Sequence, residues 1–232
     1  MKKISVLIID DERHARMELK RLIASFPELE CIGEARNADE AQELIDAKRP
    51  DVLFLDIQMP ERSGFDLLEA LPEVPDVIFT TAYDQYALKA FEVSALDYLL
   101  KPIRAERFAQ AIAKLVLKQP SAAQSKQVFV KDKDRYQFVR WERVHLIESM
   151  DNYARLFYEE KSVWLKSSLN QLVKTLDETL FFRINRAQII NLNFIQTIDT
   201  AEHGRLTVTL TTGQTLTVSD RQSVRLRNLR KL

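Results

Sequence analysis

The residues best suited to chemistry in this chain are acids, hydroxyls and one lysine, each placed at the end of a short apolar run. Asp10-Asp11-Glu12 closes the run over residues 4–9, Asp56 closes 52–55, Thr80-Thr81 closes 77–80, and Lys101-Pro102 follows 98–100. If these runs are strands of one parallel sheet, the groups converge at its carboxyl edge, where open α/β sheets bind ligands. Carboxylates gathered there repel one another, and desolvation adds to the cost. Mg²⁺ resolves that conflict, because it takes oxygen ligands and commonly bridges to phosphate. A lysine offers a point charge to phosphate oxygens and a threonine offers a hydroxyl donor. An aspartate in such company is placed to attack phosphorus and form an acyl phosphate. In-line phosphoryl transfer needs little beyond positioning and charge neutralisation. Each residue taken singly reads as an ordinary polar strand end, so the ordered set carries the argument.

The elements that must position them alternate through the first half. Strand-like runs at 4–9, 31–35, 52–55, 77–80 and 98–100 are separated by helical spacing at 13–25, 39–48, 65–71, 86–91 and 104–117. Short continuous apolar strands between amphipathic helices predict a doubly wound (βα)5 parallel sheet covered on both faces.

This half resembles the receiver domain family. The resemblance rests on Ile8-Ile9-Asp10-Asp11-Glu12, Leu53-Phe54-Leu55-Asp56-Ile57-Gln58-Met59-Pro60, Thr80-Thr81-Ala82 and Asp97-Tyr98-Leu99-Leu100-Lys101-Pro102, and covers residues 1–118. It implies a flavodoxin-like fold with Asp56 as the phosphoacceptor. It also implies Mg²⁺ held by Asp11, Asp56 and the Gln58 backbone carbonyl, with Asp10 assisting through water. Thr81, which directly precedes Ala82, would meet the phosphate, and Lys101 would pair with it. A cis Lys101-Pro102 bond is implied, and Tyr98 would be the aromatic that turns inward on phosphorylation. A static tyrosine there is the competing reading.

Residues 119–126, Gln-Pro-Ser-Ala-Ala-Gln-Ser-Lys, are polar and small and read as a linker. Beyond it the pattern becomes mainly antiparallel β, with strands at 127–130, 135–139, 144–149, 153–158, 162–165, 194–198, 206–210 and 215–218 and one helix at 168–176. Thr212-Gly213-Gln214 marks a tight hairpin. The chain has no net charge, yet residues 1–125 carry 16 Lys+Arg against 22 Asp+Glu and residues 126–232 carry 18 against 12. A basic second half points to nucleic acid or an anionic surface. Its cations cluster in the tail from Asp220 and around Arg183-Ile184-Asn185-Arg186-Ala187-Gln188, where arginine suits guanine and amides suit adenine.

The second half, residues 127–232, resembles the LytTR DNA-binding domain. The carrying residues are Phe181-Phe182-Arg183-Ile184-Asn185-Arg186-Ala187-Gln188-Ile189-Ile190-Asn191, Val144-His145-Leu146-Ile147-Glu148-Ser149 with Tyr153, and Lys166-Ser167-Ser168-Leu169. The resemblance implies that loops, rather than a recognition helix, enter the major groove of double-stranded DNA. Contacts would come from Asn152, Arg155, Asn185, Arg186, Arg221 and Gln222. Ala154 stands where several relatives carry a long polar side chain. Arg183 and Asn191 read equally well as holding the loop.

Composition narrows the rest. Cys31 is the only cysteine, which excludes an internal disulfide and a thiolate metal site and fits a reducing cytoplasm. His14, His145 and His203 share no metal spacing. Trp141 and Trp164 read as packing residues. No apolar run is long enough to span a bilayer. Lys2 and Lys3 precede an apolar run that ends in two acids, so a buried first strand is expected rather than a leader. The expected protein is a two-component response regulator. A sensor histidine kinase donates the phosphoryl group, the phosphorylated chain forms a homodimer, and promoter DNA is bound, with no other enzymatic turnover. A phospho-signalling protein whose basic half binds another protein or an anionic membrane surface is the second reading, the membrane being opposed by the lack of a long amphipathic basic helix. A metal-dependent phosphatase is the third, opposed by Gln58, whose amide cannot transfer protons.

Overall fold

A computed structural model describes residues 3–82, 95–118, 126–132, 135–201 and 204–230. The expected helix at 86–91 lies outside these residues. The chain divides into two compact units, Met1–Phe138 and Val139–Leu232.

The first unit is built on five parallel strands, β1 (Ile4–Ile9), β2 (Leu29–Ala35), β3 (Val52–Asp56), β4 (Asp76–Thr81) and β5 (Asp97–Leu100), in the order β2-β1-β3-β4-β5. Its described helices are α1 (Arg13–Ile23), α2 (Ala38–Lys48), α3 (Gly64–Ala70) and α4 (Ala105–Leu117). All residues of β3 are buried, as a central strand covered on both faces requires. Alternate side chains of each strand feed two cores. Leu7, Ile9, Leu53, Leu55 and Phe79 face α2 and α3, whereas Val6, Ile8, Phe54 and Ile78 face α1 and α4. Helix starts follow local chemistry. Asn37 caps α2 by accepting from the Glu40 amide, and Ser63 and Asp66 form a reciprocal capping box on α3. Arg107 and Lys114 of α4 reach back to Asp97 at the start of β5, at 2.5 and 3.1 Å. Burial favours a protonated Asp97, but these cations and the Tyr98 amide outweigh it and hold the carboxyl below its usual range.

Two further strands, β6 (Gln127–Asp132) and β7 (Arg135–Arg140), pair with each other, and most of this pair belongs to the first unit. The compact division thus falls after the expected linker at 119–126, because Phe129 is fully buried against the α3 side of the first core.

The second unit holds the five-stranded sheet β10-β9-β8-β12-β11 and the three-stranded sheet β13-β14-β15. Its strands are β8 (Val144–Met150), β9 (Tyr153–Tyr158), β10 (Lys161–Leu165), β11 (Phe181–Arg183), β12 (Gln188–Asn191), β13 (Ile195–Thr200), β14 (Leu206–Leu210) and β15 (Thr215–Thr217). All the pairings in these two sheets are antiparallel. Gly213 adopts φ +85° in the turn between β14 and β15, a conformation that favours glycine. Helix α5 (Leu169–Thr175) follows the Ser168 cap. The expected basic tail is instead a helix, α6 (Asp220–Arg230), anchored by Leu226 and Ser223 in the second core. Its arginines hid it, since so few of its positions are apolar. No helix among the described residues is long and apolar enough to cross a membrane.

His145 sits in this unit between the rings of Phe157 and Phe194, 5% exposed, with Nδ1 lacking a hydrogen-bond partner among the described protein atoms. Burial holds its pKa below the free value of 6.5. As pH falls below 6.5 the unfolded chain binds a proton that the folded chain refuses, so stability declines until the folded pKa is reached. Thermal unfolding of the second unit should therefore shift to lower temperature across that window. His145→Phe should flatten the shift, and an unchanged shift in the variant would assign it to other groups.

Candidate functional site

Residues from three strand ends meet at the carboxyl edge of the first sheet. Asp10 follows β1 and is fully buried, Asp56 ends β3 at 5% exposure, and Asp11 is exposed beside them. Ligand oxygens of these acids lie within 4.8 Å of one another. Lys101, just after β5, places Nζ 2.6 Å from Asp56 Oδ2, 2.8 Å from Asp10 Oδ2 and 3.3 Å from Glu12 Oε2. The contact with Asp56 is an aligned hydrogen bond. Asp10 Oδ2, though close enough to Lys101 for an ion pair, has no aligned hydrogen-bond partner among the described residues. The Lys101-Pro102 peptide is cis.

The backbone fixes this arrangement. The Glu12 amide donates to Asp10 Oδ1 and the Gln58 amide to Asp56 Oδ1, each at 3.0 Å. Arg16 of α1 donates to the Asp10 and Asp11 carbonyls at 2.8 and 3.1 Å and so holds the acidic loop. Its role was not legible in the sequence, because nothing in its spacing distinguishes it from other helix cations. At α3, a Cβ on Gly64 would stand 2.3 Å from the Asp56 carbonyl oxygen, so the helix can approach the aspartate only with glycine there.

Burial lifts the Asp10 and Asp56 carboxyls above their ordinary range against the opposing pull of Lys101. Burial would also lower Lys101, yet its close contacts with the two aspartates outweigh that and raise it, so the ammonium stays charged. One lysine beside three close carboxylates leaves an excess of negative charge facing solvent on the Asp11 side. That all-oxygen donor set fits a hard divalent cation such as Mg²⁺. Thr80 and Thr81 are both fully buried, and the Thr80 hydroxyl has no hydrogen-bond partner among the described residues. Tyr98 is 8% exposed, already packed in the first core.

In the second unit, antiparallel pairing gathers three loops along one edge. The Ser149 amide donates to the Ala187 carbonyl at 2.8 Å, bringing the β8–β9 turn beside the loop after β11. The Ser219 amide donates to the Ile184 carbonyl at 2.9 Å, adding the segment before α6. Asn152, Arg186 and Arg221 are exposed along this edge, and Gln222 is partly so.

Two expected contact residues also make bonds within the protein. Asn185 spends its amide within the protein, with Nδ2 donating to Gln188 Oε1 and the Thr217 carbonyl and Oδ1 accepting from the Ala187 amide. Arg155 lies within β9, where its guanidinium donates to Ser162 Oγ and stacks over Phe157 and Trp164. Arg183 holds the loop through three acceptors, the Asn185 carbonyl, the Arg186 carbonyl and Asn170 Oδ1, at 3.0, 2.8 and 2.6 Å. Asn191 is fully buried and donates to the Val144 carbonyl. Asn170 was missed in the sequence, since its partner lies 13 residues away.

The comparisons with known proteins agree with this geometry. Residues 6–113 match the response regulator receiver domain family, and residues 134–231 match the LytTr DNA-binding domain family. The chain belongs to the two-component response regulators with a LytTR output domain. It is 36% identical over 226 residues to the sensory transduction protein LytT of Enterococcus faecalis, covering 92% of this chain and 93% of that one. A response regulatory protein of Vibrio cholerae is 37% identical, covering 97% of this chain and 98% of that one. The transcriptional regulatory protein BtsR of Salmonella typhi is 36% identical, covering 94% and 95%. This response regulator therefore pairs a receiver, which implies a histidine kinase partner, with a DNA-binding domain that implies a transcriptional role.

The loop staple yields a testable outcome. Replacing Arg183 by alanine removes charged hydrogen bonds of about 1.5–3 kcal/mol each before the loop relaxes. DNA affinity of Arg183→Ala should fall by roughly tenfold or more, measured by fluorescence anisotropy, while the Lys101 site remains unchanged. Unaltered affinity would show that the loop holds its shape without the guanidinium.

Proposed function

We propose that Asp56 is the phosphoacceptor of this regulator and that the exposed loop edge of the second unit reads promoter DNA. The observation that carries the first part is Lys101 Nζ lying 2.6 Å from Asp56 within a cluster of three acids. Asp10, Asp11, Asp56 and the Gln58 backbone carbonyl would hold Mg²⁺, which when bound supplies charge neutralisation for phosphoryl oxygens. An Asp56 carboxylate oxygen forms the new bond to phosphorus as the bond from phosphorus to the kinase histidine nitrogen breaks. Lys101 neutralises the transferred group, Thr81 donates its hydroxyl to it, and Tyr98 reports the change from its place in the core. Slow self-dephosphorylation is the only further chemistry assigned, since Gln58 offers an amide and no proton.

By function, residues 1–118 act as the receiver, 119–126 as the linker and 127–232 as the DNA-binding domain. Asn152, Arg186, Arg221 and Gln222 face DNA, with Asn185 and Arg155 serving chiefly to shape the sheet and loop that present them. Phosphate contacts set register and base-edge contacts set sequence preference. The protein works in the cytoplasm, and phosphorylation favours a homodimer, which raises the effective concentration of the second DNA-binding domain on paired sites.

The test is capture of genomic fragments by the full chain at near-physiological salt with Mg²⁺, with and without beryllium fluoride, beside Asp56→Ala. A shared motif that strengthens with the phosphoryl mimic only when Asp56 is present is expected. No motif in either state would overturn the DNA reading, and equal enrichment with Asp56→Ala would overturn the phosphoacceptor reading.

A further inference from the structure

The β6–β7 pair lies beyond the five-stranded sheet, yet it is built into the receiver core. Phe65, the second residue of α3, stacks on Tyr136 of β7 with ring centroids 4.7 Å apart and planes at 13°. It also stacks on Phe129 of β6 at 5.9 Å and 7°. Phe129 and Tyr136 stack on each other at 5.4 Å and 12°. Phe129 is fully buried. The same Phe65 ring meets Phe79 of β4 edge-on at 5.4 Å, one residue before Thr80. The strand edge is fastened as well. The Val74 amide donates to the Gln127 carbonyl at 2.9 Å, Gln127 Nε2 donates to the Pro75 carbonyl at 3.0 Å, and Lys126 pairs with Glu73 at 3.2 Å.

The start of α3 is equally tied to Asp56. Gly64 donates its amide to the Ile57 carbonyl at 2.9 Å, and its α-carbon leaves no room for a side chain against the Asp56 carbonyl. A shift of the Asp56 backbone therefore moves the first turn of α3, and Phe65 with it. The stacked rings offer such a shift a path to β6 and β7, whose chain runs on into the second unit. Packed interfaces of this kind switch between discrete arrangements rather than deform continuously.

We propose that the α3 face around Phe65 is the receiver's output surface, and that its occupant is this chain's own β6–β7 pair. Through that contact the state of Asp56 biases the DNA-binding half. The inference rests on the phosphoacceptor reading above. It assigns the aromatic stack a role in transmission that simple packing would not require. A coupling of this kind need only alter the relative stability of two arrangements of the pair.

The test uses the full chain with Mg²⁺, with and without beryllium fluoride. Hydrogen exchange is followed at the Val74 amide and along β6 and β7, and mimic uptake is read from exchange at the Asp56 loop. In the wild type the mimic should change protection of the strand pair by about fivefold or more. Tyr136→Ala should retain mimic uptake and unstimulated DNA affinity but lose the mimic-induced gain in DNA affinity. Tyr136→Phe, which keeps the ring, should retain that gain. Unchanged protection of the pair on mimic uptake, or full stimulation in Tyr136→Ala, would overturn the inference while leaving the phosphoacceptor reading intact. Absence of mimic uptake in the wild type would instead overturn that reading and this inference with it.

Discussion

Three carboxylates held within 4.8 Å of one another, with a single ammonium between them, are the constraint around which the receiver half is organised. Left alone, such a cluster is unfavourable, since burial raises the Asp10 and Asp56 carboxyls and each repels its neighbours. The fold tolerates it because the surrounding parts are fixed independently. The strands beneath are buried on both faces, the loop carbonyls are held by Arg16, and Lys101 is delivered by the last strand of the sheet. The excess negative charge favours a divalent cation at the site, and that cation would in turn offset the charge of an incoming anionic phosphoryl group. On the proposed reading, the site serves reversible modification of Asp56.

The second half solves a different problem, the presentation of long polar side chains from loops. Its edge combines two loops with the first turn of α6, which carries Arg221 and Gln222, and the loops are kept in place by partly exposed hydrogen bonds. The guanidinium of Arg183 and the amide of Asn185 have their bonding capacity directed inward, which leaves Arg186 exposed at the tip. Rigidity of this kind lowers the entropy lost on binding, so affinity is gained from positioning as well as from contacts.

Much of the receiver was legible because its signal is periodic. Apolar runs of strand length gave all five strands, and the groups at their ends gave Asp10, Asp56 and Lys101 without any knowledge of distances. What stayed hidden was long-range and aperiodic. Arg16 looks like any helix cation, Asn170 like any capping-region amide, and the helix from Asp220 is masked by its arginines. The resemblance implies DNA contacts for Asn185 and Arg155. Their donors also bond Gln188, Thr217 and Ser162 within the protein, which depends on a register that composition does not encode. The β6–β7 pair was read as the start of the second domain, since a linker-like segment precedes it. Its attachment to the receiver core is a matter of long-range contacts, the stacking of Phe129 and Tyr136 on Phe65 and the bonds of Gln127 to Val74 and Pro75.

The central claim is that the acid cluster exists to place a phosphoryl group on Asp56 with the help of a divalent cation. The direct measurement is intact-mass analysis of the full chain after incubation with acetyl phosphate, with Mg²⁺ or with chelator, followed by peptide mapping of the modified residue. The account predicts one added phosphoryl group, located on Asp56, formed only with Mg²⁺ and lost in Asp56→Asn. Uptake that persists with chelator, or a modification that maps to another residue in the wild type, would contradict it.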